Sequence, residues 1–453
     1  MRSRTPDREA IEQARGWRVT SKILLSGGCV LTLGAKSPNL AQADLLIDEG
    51  VVAEVGPGLR ARDAEQVDAT DTIVMPGFVD THRHAWTSLF RNIGAASGDA
   101  GPAAFGDHFH ADDVYAATLI GLLGAAEAGI TTVVDWSDVR TEDGLAEAAL
   151  RAHADSGLRT VFVHSTRRNG PIEAEPIARL TGAAGPLTTI AFGSVLPGST
   201  DVGAVADGWA LAREMGMRIH AHAGPGRGAG GTIRALAELG LLRDDVVLTH
   251  CSELEDADVD AIASTGASVS LTPASQMAGG LGSPSIQQLI DRDIRPGLGI
   301  EDERVSPGDL FAQMRATISL QHATVFDQKL AGKAGLPRLM STRDVIRAAT
   351  VAGARIAGLG GVTGSLEPGM QADVIVLRTD RPNVFPINDP IGAVVWGMDT
   401  SNVDRVFVAG RAVMRDGALE VDVERARNLA TIAHERVTAA AGLVMGAARK
   451  GGG

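Results

Sequence analysis

Cysteine and lysine are both scarce in this chain of 453 residues. The two cysteines, Cys29 and Cys251, are too few for a disulfide framework or a four-cysteine metal site. Only five of the 42 basic residues are lysines (Lys22, Lys36, Lys329, Lys333, Lys450), so none lies between Lys36 and Lys329. Long apolar runs are lacking too. None approaches the roughly 18 residues that cross a bilayer, which excludes a helical membrane protein and a membrane partner. The first residues, MRSRTPDREAIEQARGW, carry charges of both signs where a signal peptide needs an apolar stretch, so the expected location is the cytoplasm. Positive charge is in deficit, 42 bases against 55 acids for a net −13, which argues against a nucleic-acid or anionic-lipid partner and leaves a small molecule. What is present is a globular apolar content of 44%, ample for one large barrel and a smaller domain.

The texture of the chain changes twice. After a polar tail (residues 1–19), residues 20–76 hold short β-type runs broken by Gly and Asp, such as KILLSGGCVLTL and ADLLIDEGVVAEVG. Alternating apolar residues with Gly-rich turns predict a small antiparallel sheet. Over residues 77–358 short buried-type strands recur: GFVDTH, TTVVDW, TVFVH, TTIAFGSVL, MRIHAH, DVVLTH, ASVSLTP and RPGLGIE, mostly about 28 residues apart. Helical stretches such as DVYAATLIGLLGAAEAG lie between them. Eight strand-helix units at that period predict a (β/α)8 barrel, and the absence of a GxGxxG opening disfavours the open doubly wound sheet. β texture returns over 359–418, and 419–453 carries a C-terminal helical pattern before the terminal KGGG. The expected architecture is therefore α/β: a TIM-like barrel inserted in a small β-sandwich domain made by the N- and C-terminal segments.

Histidines mark the strand ends. His82 and His84 form an H-x-H at the end of the first barrel strand, where residues i and i+2 point the same way and can share one ion. His222 ends the fifth strand, His250 the sixth, and the acidic pair Glu301-Asp302 the eighth. In such a barrel all these ends open on one face, where catalytic groups sit. Four histidines and an acid gathered there predict a metal site.

On VMPGFVDTHRH (74–84), the strand-end His222 and His250, GSLEPGMQADVIVL (364–377) and VDRVFVAGRAVMRDG (403–417), the chain resembles the amidohydrolase superfamily, nearer its cytosine deaminase and chlorohydrolase-like branch. The resemblance runs from about Lys22 to Gly417. It implies that His82, His84 and His222 are metal ligands and that His250 orients water or substrate. The eighth-strand ligand and general base is normally aspartate; Glu301 occupies that place, while Asp302, one residue on, should point away. Ring-deaminating relatives carry a glutamate three residues after the fifth-strand histidine, whereas this chain has Pro225, which cannot move protons. Binuclear members bridge two metals with a carboxylated fourth-strand lysine. The lysine-free span from 37 to 328 and the acid-free TTIAFGSVL leave a mononuclear site. The implied cofactor is one divalent ion per chain, Zn2+ or Fe2+, and relatives imply a homo-oligomer, a dimer or larger.

These assignments predict a metal-dependent hydrolase. An activated water attacks an electrophilic carbon and cleaves a C–N or related bond, other than a peptide bond, of a small cyclic or planar molecule. Glu301 takes the proton, and His250 stabilises the oxyanion or leaving group. The missing glutamate keeps a lyase or isomerase on the same scaffold as an alternative, and the unusual Glu301 keeps a degenerate binding protein. Candidate substrate contacts are Trp86 as an aromatic wall, His164 at the third strand end, and Gln276 past the seventh. The loop from Trp86 to Asp113 adds Arg91, His108 and His110, and the Gly-rich 224–231 can approach a ligand by backbone alone. Arg83, between the ligand histidines, reads as structural. His220, same-facing and deeper than His222, reads as a core histidine or a partner to the ligands. His153, His322 and His434, in helical stretches, read as incidental, and Cys251 as a small buried hydrophobe.

Overall fold

The computed structural model describes residues 22–35, 38–93, 103–138, 144–165, 174–196, 202–223 and 230–442. Strands β1 (Ile23–Val30), β2 (Leu40–Asp48), β3 (Val51–Gly56), β4 (Glu65–Asp68) and β5 (Thr72–Pro76) come first. They join β14 (Val374–Arg378), β15 (Val403–Val408), β16 (Arg411–Arg415) and β17 (Ala418–Leu419) from the far end of the chain. All nine form one continuous hydrogen-bonded sheet, in which β14 pairs antiparallel with β5. The sequence predicts antiparallel pairing, but β1 runs parallel to β4 over its first half and to β5 over its second. The change of partner falls at Gly27-Gly28, where Gly27 takes a φ of +84° that a side chain would resist, and its N–H donates to Asp44 at 2.8 Å.

The barrel strands are β6 (Phe78–Arg83), β7 (Ile130–Ser137), β8 (Arg159–Ser165), β9 (Thr188–Val195), β10 (Ile219–His222), β11 (Val246–Thr249), β12 (Ser268–Leu271) and β13 (Gly297–Leu298), parallel neighbours in chain order. All eight sequence-predicted strands are found, separated by helices as expected. Their outward residues, such as Ile219, Ala221, Val246 and Leu248, pack under the helices in the largest core cluster. Their inward residues Val79, Val134, Trp136, Val161, Val163 and Ala191 pack with Ala354, Ala357, Leu359 and Val362 to fill the barrel. The C-terminal helix Val423–Ala440 starts on an Asp422 cap, whose carboxylate accepts from Arg425 N at 2.9 Å, and its Arg436 pairs with Asp113 of the helix Ala111–Glu127.

A buried ion pair ties the two sheets. Arg159, at the start of β8, donates from Nε and Nη2 to the two oxygens of Asp373 at 2.7 and 3.0 Å, with side chains 2% and 0% exposed. Asp373 precedes β14 and also accepts from Ala409 N at 2.7 Å. No helix among the described residues is long and apolar enough to cross a membrane.

Candidate active site

The barrel closes where its first and eighth strands meet, and the histidines stand on that seam. Glu301 N donates to His82 O at 2.8 Å, and His84 N donates to Glu301 O at 2.9 Å. Such a close approach needs a glycine: a Cβ on Gly299 would lie 2.7 Å from His82 N and 2.8 Å from His82 O. Along β6 the register against β7 slips, three residues from Asp80 to Arg83 passing two from Val133 to Asp135. A bulge of this kind re-aims side chains. Here it leaves Asp80 and Arg83 both on the outward face, joined at 2.7 Å, while Thr81 reaches Ser270 across the interior at 2.6 Å and His82 joins the cluster.

Five side chains converge. His82 Nε2 lies 3.1 Å from His222 Nε2 and 2.9 Å from Glu301 Oε2; His84 Nε2 is 3.7 Å and His250 Nε2 3.6 Å from the same carboxylate. Two overlapping triads, His82/His222/His250 and His82/His84/Glu301, have ligand atoms within 4.8 Å of one another. Two imidazole Nε2 atoms facing each other at 3.1 Å repel unless a cation or proton lies between them, and three imidazoles with one carboxylate are a donor set for Zn2+ or Fe2+. The residues therefore fit a divalent ion. His222 stacks on Trp136 with centroids 3.8 Å apart and planes 16° from parallel. No sequence signal marks Trp136, because TTVVDW reads as uniformly buried strand.

Electrostatics favour neutral His222 and His250 rings beside an ionised acid. Burial pushes His250 down to about 4 and His222 well below the usual imidazole range, with neighbouring histidines adding to the effect on both. Burial opposes ionisation of Glu301, but His250, His82 and His84 outweigh it and hold the carboxyl well below its ordinary range. Neutral imidazoles and a carboxylate are the protonation states a metal requires.

A second acid, Glu303, which no motif of the sequence marks, lies two residues beyond Glu301. Glu303 accepts from Arg83 Nη1 (3.0 Å), Arg91 Nε (2.8 Å) and Ser88 Oγ (2.6 Å), and its carbonyl accepts from Asn92 N. The loop after β6 is thereby pinned to the loop after β13. Burial works against the Glu303 charge, but Arg83 and Arg91 prevail and lower its pKa. A depressed folded-state pKa contributes stability above the unfolded value of about 4.3, and that contribution is lost as pH falls through the folded value. Replacing Glu303 with Gln is expected to cost about 2–4 kcal/mol at pH 7. Urea denaturation from pH 7 to 3 should show the gap between variant and wild type narrowing on the acid side; a constant gap would contradict the charge argument.

Other candidates are placed as follows. Asp302 turns away to Arg304 and Thr87, as expected. Arg83 is structural, held by Asp80, Glu303 and Gly308 O. Trp86 is 7% exposed and packs edge-on to Phe109, its indole N–H buried without a protein acceptor among the described residues. The structure does not bring His164 to the cluster. It alternates with Val163 on β8, shares the outward face with Phe162 and its β9 partner Phe192, and interacts with Glu147; burial pushes it down to about 4. Gln276 is fully buried and its amide is spent on protein groups. His220 is buried in the barrel, with neither ring nitrogen bonded to protein among the described residues. Arg91 serves Glu303, His110 N is capped by Asp113, and His108 O accepts from Arg436. His153 is not incidental: it bridges Asp135 (2.7 Å) and Thr160 (2.8 Å), and Asp135 in turn accepts from Ala85 N, next to His84. Cys251 lies in the outer core, its thiol pKa raised by burial. Pro225 and most of the Gly-rich 224–231 lie outside the described residues.

The sequence model of the Amidohydrolase family matches residues 73–413. The chain belongs to that family. This amidohydrolase is similar to the 5'-deoxyadenosine deaminase of Methanothermobacter thermautotrophicus, at 28% identity over 89% of this chain and 95% of the relative. Its fold is similar to that of a zinc-bound adenosine deaminase from Xanthomonas campestris (TM-score 0.79, 20% identity, 92% of this chain and 99% of the other). It is similar also to the zinc-complexed atrazine chlorohydrolase of Arthrobacter aurescens (TM-score 0.75, 22% identity, 91% and 100%). The chain is thus a metal-dependent hydrolase of the amidohydrolase family, acting on a carbon–nitrogen bond of a small molecule.

Proposed function

We propose that this amidohydrolase works with one divalent ion held by His82, His84, His222 and Glu301, and that it hydrolyses an amidine-type C–N bond on a planar heterocycle, with 5'-deoxyadenosine the first compound to test. The observation carrying this reading is the pair of overlapping triads on the barrel seam, His82/His222/His250 and His82/His84/Glu301, which share His82. A single ion is supported by the lack of lysine from residue 37 to 328. The nucleoside is suggested by the deaminase relative, which the chain matches over nearly its full length.

A divalent ion held by His82, His84, His222 and Glu301 would supply Lewis acidity, making water a stronger nucleophile at neutral pH. The rest falls to the chain. Glu301, ionised and within 3.6 Å of His250, accepts a proton from the attacking water. His250, kept neutral by burial, donates its Nε2 hydrogen to negative charge developing on the substrate. The departing nitrogen needs a proton, and residue 225, where deaminases of this branch carry glutamate, is proline. Glu301 therefore returns the proton it took. Trp86 offers an aromatic flank for a planar ring.

Metal analysis and isotope labelling test this together. The purified protein is expected to hold about one zinc or iron per chain and to lose deamination of 5'-deoxyadenosine on chelation. In 18O-labelled water one labelled oxygen should enter the product as ammonia leaves. Turnover by metal-free protein, or product without label, would sink the hydrolytic reading.

A further inference from the structure

The seventh strand, β12, lies between β11 and β13 and supplies none of the five clustered side chains. We propose that Ser275 and Gln276, on the helical turn Pro273–Ala278 that follows it, are positioning residues that together fix His250 and Glu301 relative to one another. The proposal rests on the reading of those two groups as the proton-handling pair.

The geometry is complete on both sides. Gln276 Nε2 donates to His250 O at 2.9 Å and to Ser252 Oγ at 2.7 Å, while its Oε1 accepts from Thr272 N at 2.9 Å. Its neighbour Ser275 donates from Oγ to Ile300 O at 2.7 Å, one residue before Glu301, and is braced by Ser306 Oγ at 2.5 Å. Both are buried, Ser275 1% and Gln276 0% exposed, so neither can serve the substrate directly.

The backbone explains why a brace is needed. His250, Cys251 and Glu253 have φ of 74°, 50° and 53°, and Glu301 has 69°. Side-chain-bearing residues rarely adopt this left-handed region, and they hold it only where surrounding contacts over-determine the conformation. Gln276 grips the first strained carbonyl and the hydroxyl inside that run, and Ser275 grips the peptide entering Glu301. Both proton-handling residues are thus strained, and adjacent positions of one helical turn hold them. The 3.6 Å between His250 Nε2 and Glu301 Oε2 is then a span set through that turn. A part that stiffened the loops without serving chemistry would have no reason to affect this span.

The test uses Gln276→Met, which keeps length but loses the amide, and Ser275→Ala, with Ser275→Thr as the conservative variant that keeps a hydroxyl. Each full-length protein is reconstituted with Co2+, whose visible spectrum reports the ligand field without any substrate, and is assayed on 5'-deoxyadenosine. The brace predicts an altered Co2+ spectrum in the Ala variant and restoration by Thr. In both loss variants kcat should fall about 10- to 100-fold, with KM within twofold. A crystal structure of Gln276→Met should show His250 displaced from Glu301. Unchanged spectra, kcat and His250 position in both variants, while Glu301→Gln abolishes turnover, would overturn the brace alone. Turnover surviving Glu301→Gln would overturn the functional reading, and the brace's role with it.

Discussion

Replacing Glu301 with Gln is expected to lower kcat/KM by about 10²–10⁴-fold, the usual effect of removing a positioned general base. Gln keeps the size of the side chain and the backbone pairing of residue 301 with His82 and His84, so the barrel seam should survive. Metal content, measured by mass spectrometry, should fall only in part, because His82, His84 and His222 remain. Glu301→Asp should lie between Gln and wild type: it restores the carboxylate one methylene further from His82 Nε2, now 2.9 Å from Glu301 Oε2. A Gln variant with wild-type turnover would mean that another group takes the proton. Complete metal loss would instead make Glu301 the principal ligand.

The second large effect concerns stability. Asp373→Ala leaves the Arg159 guanidinium buried without its partner, and removing one member of a buried pair costs about 3–5 kcal/mol. The loss should exceed that of any exposed pair in the chain, such as Arg338–Asp344, where screening leaves about 0–1 kcal/mol. Replacing both members by apolar residues, Arg159→Met with Asp373→Leu, should recover much of the deficit, because no charge is then stranded. Equilibrium denaturation of the three proteins checks this. A single variant within about 1 kcal/mol of wild type would show that water reaches the pair and that the two sheets are held by apolar contacts instead.

Much of this architecture is legible in the sequence, and the limits of that legibility have physical causes. The eight barrel strands announce themselves because each is a short apolar run followed by a helical pattern. The site histidines announce themselves because strand ends of a parallel barrel share a face. Facing within a strand is another matter. Parallel strands are buried on both sides, so VFVHS has no alternation to show that His164 looks outward, nor does TTVVDW show that Trp136 looks inward. Asp373 sits in a motif that marks the family, yet its partner Arg159 is 214 residues away and no local pattern joins them. Gln276 reads as a pocket residue because it follows a barrel strand; only the backbone strain at His250, invisible in composition, gives its amide another task. The β6 bulge leaves no trace either, since H-x-H already satisfies the simple alternation rule.

The seam on which the site stands has a consequence for how the protein matures. Asp80 Oδ1 accepts from Ile300 N across 220 residues of chain, and the pairing of His82 with Glu301 lies beside it. On a ribosome the first two histidines emerge long before the carboxylate that completes their set. Until then they stand at an unpaired strand edge, with no barrel to hold them. Closing so long a loop is entropically costly, and such non-local pairing comes late in folding. A chain truncated before residue 301 would carry the histidines without the carboxylate and the strand end that close the seam around them.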